Sequence, residues 1–116
     1  MSESEKKVLT MRRQGAPRTR MRLVVIGSST GGPQALQTVI TGLSECFPCP
    51  VIVVQHMPAG FTGALAARLD GVSKVRVREA QDGNVLEAGC VYIAPGNYHL
   101  RVLHDAGTRR IALSDE

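Results

Sequence analysis

Two short apolar runs constrain the fold of this chain more than any other feature of its sequence. Residues 23–26 and 51–54 are continuous, rich in β-branched side chains and followed by turns, which is typical of strands buried on both faces of a sheet. Between them lies an apolar stripe at helical spacing: Ala35, Leu36, Val39, Ile40 and Leu43. This order predicts a βαβ unit whose two strands are parallel, with residues 27–32 as the turn from strand to helix.

The rest of the chain adds one helix and several short strands. A helix is expected over residues 62–69, with Leu65, Ala66 and Leu69 inward and Gly71 ending it. Apolar segments then become short and alternate with turn residues, and residues 100–113 form a predicted hairpin about an Asp-Ala-Gly turn. The predicted fold class is therefore α/β, with a mainly parallel sheet and a strand-rich C-terminal third.

Charge separates the chain into two parts. Residues 1–22 contain seven Lys or Arg against two Glu, whereas the remaining residues contain seven basic against eight acidic side chains. We interpret residues 1–22 as a flexible basic leader or linker and residues 23–116 as one domain, because 116 residues can bury one modest core. The net charge of +4 is thus a property of the leader and no evidence for a nucleic-acid partner, and a chain without Trp offers few aromatic rings for base stacking. No apolar run suggests a membrane helix or a secretory signal, so we expect a cytoplasmic protein without membrane insertion.

The first turn contains a candidate nucleophile. Gly27-Ser28-Ser29-Thr30-Gly31 fits the pattern G-x-S-x-G, with Ser29 at its centre and a strand and a helix on either side, as in a nucleophile elbow. Backbone N–H groups from Thr30 onward could receive a developing oxyanion at the positive end of the helix. The same composition also suits a helix N-cap or a phosphate cradle, and both alternatives stay open at this point.

His56 follows the second strand as Ser29 follows the first. Adjacent strands lie about 4.8 Å apart, so side chains at equivalent exits can come within hydrogen-bonding reach, which favours a catalytic Ser-His pair. His99 and His104 lie beside turns in the strand-rich third, where a surface role is expected, and no metal-ligand spacing connects them to His56.

The three cysteines are expected to be reduced thiols. Cys46 and Cys49 form a C-x-x-C pair, but it lies between a helix end and a strand start, whereas redox pairs open a helix. Together with Cys90 they make an odd number in a chain without an export signal.

Four segments resemble the catalytic domain of the CheB-type protein-glutamate methylesterases of bacterial chemotaxis. They are residues 26–33, residues 55–62, residues 79–83 and residues 92–99, which read IGSSTGGP, QHMPAGFT, EAQDG and YIAPGNYH. The resemblance covers about residues 23–116, the N-terminal part of that domain, and implies a three-layer αβα fold that is incomplete here. It also implies hydrolysis of glutamate γ-methyl esters on chemoreceptors, with deamidation of receptor glutamines, and no cofactor or metal.

On the matching positions, Ser29 would be the nucleophile and His56 the general base that then protonates the leaving methanol. Thr30 would shape the site, whereas Asp82 and His99 match motif positions without an assigned role. The family's triad carboxylate lies in a later Gly-Met-Gly-x-Asp-Gly segment that residues 1–116 do not contain. Since loss of the carboxylate costs about 10⁴ in kcat in the serine-protease template, these residues alone are expected to be poorly active or inactive.

The resemblance also implies partners and leaves two other interpretations. The implied partners are methyl-accepting chemotaxis receptors, and the family's N-terminal receiver domain has no counterpart in residues 1–22. One alternative is a non-catalytic truncated remnant. The other is a phosphate- or nucleotide-binding α/β module, although the turn lacks the Lys of a P-loop and the spacing of the dinucleotide fingerprint.

Overall fold

The computed structural model describes residues 10–14, 22–28 and 32–115, which form seven strands and two helices. In chain order these are β1 (Thr10–Gln14), β2 (Leu23–Ser28), α1 (Gly32–Thr41), β3 (Val51–Gln55), α2 (Phe61–Val72), β4 (Arg76–Glu79), β5 (Cys90–Ile93), β6 (His99–Asp105) and β7 (Thr108–Ser114).

A five-stranded sheet organises the molecule. Its order is β1-β2-β3-β5-β4, and β2, β3, β5 and β4 all run parallel. The β2-α1-β3 segment confirms the predicted βαβ unit. β1 pairs antiparallel with β2, so the structure adds a strand within residues 1–22, for which the sequence suggested no regular element.

Both helices pack on one face of the sheet. Leu36 and Ile40 of α1 are fully buried there, as are Leu65, Ala66 and Leu69 of α2, which confirms the predicted apolar stripes. α2 runs three residues beyond the predicted end at Leu69 and passes through Gly71, which was expected to stop it. The chain leaves the helix at Ser73, where the backbone becomes extended.

The hairpin of β6 and β7 covers part of the opposite face. Ile111 packs with Ile52 and Tyr92 of the sheet, and Leu100, Val102 and Leu113 surround this second core. This confirms the predicted hairpin of the strand-rich C-terminal third, beside a mainly parallel α/β sheet; among the described residues, this face is covered by strands. Ala106 and Gly107 connect β6 to β7 with φ of 50° and 81°, the positive pair that a tight type I′ hairpin requires.

Residues 80–89 connect β4 to β5 and are hydrogen-bonded to the hairpin. Val85 forms a single bridge with Arg110, and the Asp82 carboxylate accepts a hydrogen bond from the Leu113 N–H at 2.8 Å. The Tyr92 hydroxyl donates to the Val85 carbonyl and accepts from the Glu87 N–H, both at 3.0 Å. Burial raises the pKa of Tyr92 to about 12, and its hydrogen bond with the Cys90 side chain acts in the same direction.

Neither described helix has the length and apolar content that crossing a bilayer would require.

Candidate active site

The candidate site lies where the parallel strands β2 and β3 end. Their register pairs Ser28 with Gln55, so the next residue along β3 is His56, and the next along β2 is Ser29. In open parallel sheets, ligands bind beyond the carboxyl ends of the strands. Ser29 and Thr30 lie outside the described residues, so their place at this edge stays a prediction.

His56 lines a cleft at this edge of the sheet. Residues 51–53 of β3 are apolar and buried, whereas Val54 is half-exposed and Gln55 is buried. The chain then leaves the sheet, and the His56 side chain is exposed. The cleft has a volume of about 900 Å³ and is lined by Gly27, residues 54–58 and residues 94–99. One wall is therefore the exit of β3, and the other is the turn that follows β5.

That second wall is a tight turn at residues 95–98. The Tyr98 N–H donates to the Pro95 carbonyl at 3.3 Å, and Asn97 has a φ of 68°, as the third residue of a type II turn requires. Gly96 is buried against the other wall. A Cβ on Gly96 would lie 2.5 Å from the Met57 carbonyl oxygen, so the two walls touch through backbone alone.

Thr62, in the first turn of α2, ties three segments together beneath the cleft. Its side chain is fully buried, and its hydroxyl donates to Glu79 Oε2 at 2.5 Å and accepts from the Gly96 N–H at 3.2 Å. Sequence reasoning missed this arrangement. The available signal was that all three positions fall within the motif segments, in a chain whose helix N-cap, Gly60, has no side chain.

The structure brings His99, and not His104, to the cleft. Both side chains are exposed, as expected, but His99 begins β6 and lines the same cleft as His56. A second depression, of about 510 Å³, shares His99 and Tyr98 and continues along the hairpin to Arg101.

Asp82 and Asp70 both accept hydrogen bonds from backbone N–H groups. Asp82 accepts from Leu113, as described above, and Asp70 accepts from the Val77 N–H at 2.8 Å. Among the described residues, no Asp or Glu lines the cleft with His56. In the same part of the chain, no group of three or more His, Cys, Asp or Glu is arranged to hold a metal ion.

The cysteines lie where the sequence suggested. Cys46 and Cys49 occupy the connection between α1 and β3, not the start of a helix, and Cys90 is buried in β5. All three are free.

Comparison with known proteins assigns the family. The CheB methylesterase family model matches residues 24–116, most of the chain. The chain belongs to the CheB methylesterase family. Its α/β fold agrees with a crystal structure of the Thermotoga maritima CheB methylesterase catalytic domain, with a TM-score of 0.78 and 47% identity over 84% of this chain and 50% of that one.

Two curated relatives are named protein-glutamate methylesterase/protein-glutamine glutaminase. The protein from Idiomarina loihiensis is 50% identical over 95 residues, which are 82% of this chain and 25% of the relative. The protein from Thermotoga maritima is 57% identical over 79 residues, which are 68% of this chain and 23% of the relative. The chain thus spans about a quarter of the length of these CheB-type relatives.

Proposed function

We propose that this chain supplies the nucleophile and the general base of a protein-glutamate methylesterase that acts in bacterial chemotaxis. Its substrates would be glutamate γ-methyl esters on methyl-accepting receptors in the cytoplasm, with receptor glutamines as substrates for deamidation. The observation that carries the proposal is the parallel register of Ser28 with Gln55, because the next two residues, Ser29 and His56, then leave adjacent strand ends.

The chemistry follows from these two side chains. His56 takes the proton of the Ser29 hydroxyl as its oxygen attacks the ester carbonyl, and the tetrahedral oxyanion accepts hydrogen bonds from N–H groups at the start of α1. His56 then donates that proton to the departing methoxide, which leaves as methanol. Water, deprotonated by His56, hydrolyses the acyl-enzyme to release the glutamate carboxylate and restore Ser29.

The cleft walls suit a short ester side chain. Val54 and Tyr98 line it and are each 48% exposed, so they present apolar surface beside the exposed His56 imidazole. Such a surface can contact the methylene groups and methyl group of the ester. Arg101, in the adjoining depression, would face the other glutamates of an acidic receptor segment.

The experiment is methanol release from a methyl-esterified receptor. The 116-residue chain is assayed alone and fused to the half of the Thermotoga maritima catalytic domain that it does not match. We expect release by the fusion, because the family's triad carboxylate belongs to a segment that residues 1–116 lack. Ser29→Ala and His56→Gln in the fusion should each lower kcat by at least about 10³, as in other hydrolases that act through such a pair.

Matched controls separate chemistry from folding. Ser44→Ala changes an exposed serine between α1 and β3, and His104→Gln changes an exposed histidine on the hairpin; both should leave kcat near wild type. Methanol release that survives Ser29→Ala, or that falls equally in the controls, would contradict the proposal.

A further inference from the structure

The Thr62 hydroxyl lies where α2, β4 and the 95–98 turn meet. Its contacts have one consistent arrangement, since an ionised carboxylate can only accept and a backbone N–H can only donate. The Thr62 proton therefore points to Glu79 Oε2, and an oxygen lone pair is left for the Gly96 N–H. Because Thr62 and Gly96 are both buried, water does not offer the Gly96 N–H an alternative partner, whereas the Glu79 carboxylate is only half-buried.

Glu79 also supplies what the start of α2 lacks. The N-cap residue, Gly60, makes no side-chain hydrogen bond, and the first turn of the helix contains no acidic residue. The Glu79 carboxylate lies beside that turn, with Oε1 3.3 Å from where a Cβ on Gly63 would be. A carboxylate at a helix N-terminus is attracted by the unpaired N–H groups, so this position is favourable for Glu79 independently of Thr62.

Gly96 connects Thr62 to the cleft wall, because it contacts both Thr62 and the backbone that follows His56. Its N–H is held by Thr62, and its Cα rests on the backbone of residues 57–59, which immediately follow His56. Asn97, Tyr98 and His99 come next along the chain and line the wall opposite His56. A displacement of Gly96 would therefore change the distance between the two walls.

We propose that Thr62 is a positioning residue: its hydroxyl, oriented by Glu79, fixes the 95–98 turn against the turn that carries His56 and so sets the width of the cleft. The role in turnover rests on the proposed function, but the hydrogen bond and its effect on the cleft can be tested without any activity.

The test is NMR of the isotope-labelled 116-residue chain. In Thr62→Val, we expect the Gly96 amide to exchange about tenfold faster or more, as for the loss of one buried hydrogen bond. The amide signals of Asn97 and Tyr98 and the imidazole signals of His56 and His99 should shift with it. Thr62→Ser, which keeps the hydroxyl, should return these signals towards wild type.

The matched control is Thr38→Val in α1, which also removes a threonine hydroxyl but one that bonds only within its own helix. Cleft signals that stay unchanged in folded Thr62→Val, or that move equally in Thr38→Val, would overturn the proposal. If Thr62→Val does not fold, the same NMR measurement is made on Glu79→Ala. This variant should shift the amide signals of the 95–98 turn and the imidazole signals of the cleft in the same direction, and unchanged signals would overturn the proposal. Failure of the esterase assay would refute the proposed function and leave this result standing.

Discussion

Replacing Tyr92 by Phe removes one oxygen from the interior and tests how the sheet holds the 80–89 connection. Tyr92 is only 2% exposed, and its hydroxyl is the partner of both the Val85 carbonyl and the Glu87 N–H. Phe keeps the ring but leaves both backbone groups without this partner, which should lower the free energy of unfolding at neutral pH by about 1–3 kcal/mol. For a domain of this size, that corresponds to a melting temperature lower by about 4–12 °C.

The raised pKa of Tyr92 adds a pH dependence that the variant lacks. Because the pKa is 10.0 in the unfolded reference and about 12 in the folded protein, the unfolded chain loses its proton first as the pH rises. The contribution of protonated Tyr92 to the free energy of unfolding is therefore complete below pH 10 and is lost between pH 10 and pH 12. At pH 11 the loss is about 1.4 kcal/mol, since one pKa unit corresponds to about 1.4 kcal/mol.

Equilibrium urea denaturation of both proteins at intervals from about pH 8 to pH 11 measures this directly. Titrating groups that do not interact with Tyr92 are common to both chains and cancel, so the wild-type advantage should shrink by about 1.4 kcal/mol over that range. Tyr98→Phe, which removes the hydroxyl of the half-exposed tyrosine in the cleft, is the matched control and should leave the melting temperature at neutral pH near wild type. An advantage of wild type over Tyr92→Phe that stays constant with pH would refute the reasoning.

Three further substitutions test backbone geometry. Gly96→Ala places a Cβ 2.5 Å from the Met57 carbonyl oxygen and should destabilise the fold by about 1–3 kcal/mol. Gly71→Ala, in open space within α2, should instead stabilise the fold by about 0.5–1 kcal/mol. Thermal unfolding measures both variants, and equal melting temperatures would contradict the close approach at Gly96. Ala106→Asn places a residue that tolerates positive φ before Gly107 and should raise the stability by about 0.5–1 kcal/mol in urea denaturation, whereas a loss would show that the turn is not of type I′.

The candidate site was only partly visible in the sequence. His56 could be found because it directly follows an apolar run, and a strand end is a position that periodicity locates well. The sequence could not predict the hydrogen bonds that connect Thr62 to Glu79 and Gly96. These residues lie on three separate segments, and their hydrogen bonds depend on how α2 and β4 pack. His99 was recognised as exposed, but its place in the cleft of His56 depends on where the hairpin folds.

Local spacing in the sequence was sufficient to predict the kinds of element from β2 onward, their order and the faces that they bury. The runs of β2 and β3, the helical stripe between them and the turn at residues 106–107 follow from local spacing and backbone preference, which need no information about distant residues. Three features depend on contacts between distant residues: β5 lies between β3 and β4, β6 and β7 cover the face opposite the helices, and Thr62 accepts a hydrogen bond from Gly96. The reason is physical: periodicity reports which side of a strand is apolar, whereas its neighbours are selected by packing and hydrogen bonding between residues far apart in the chain.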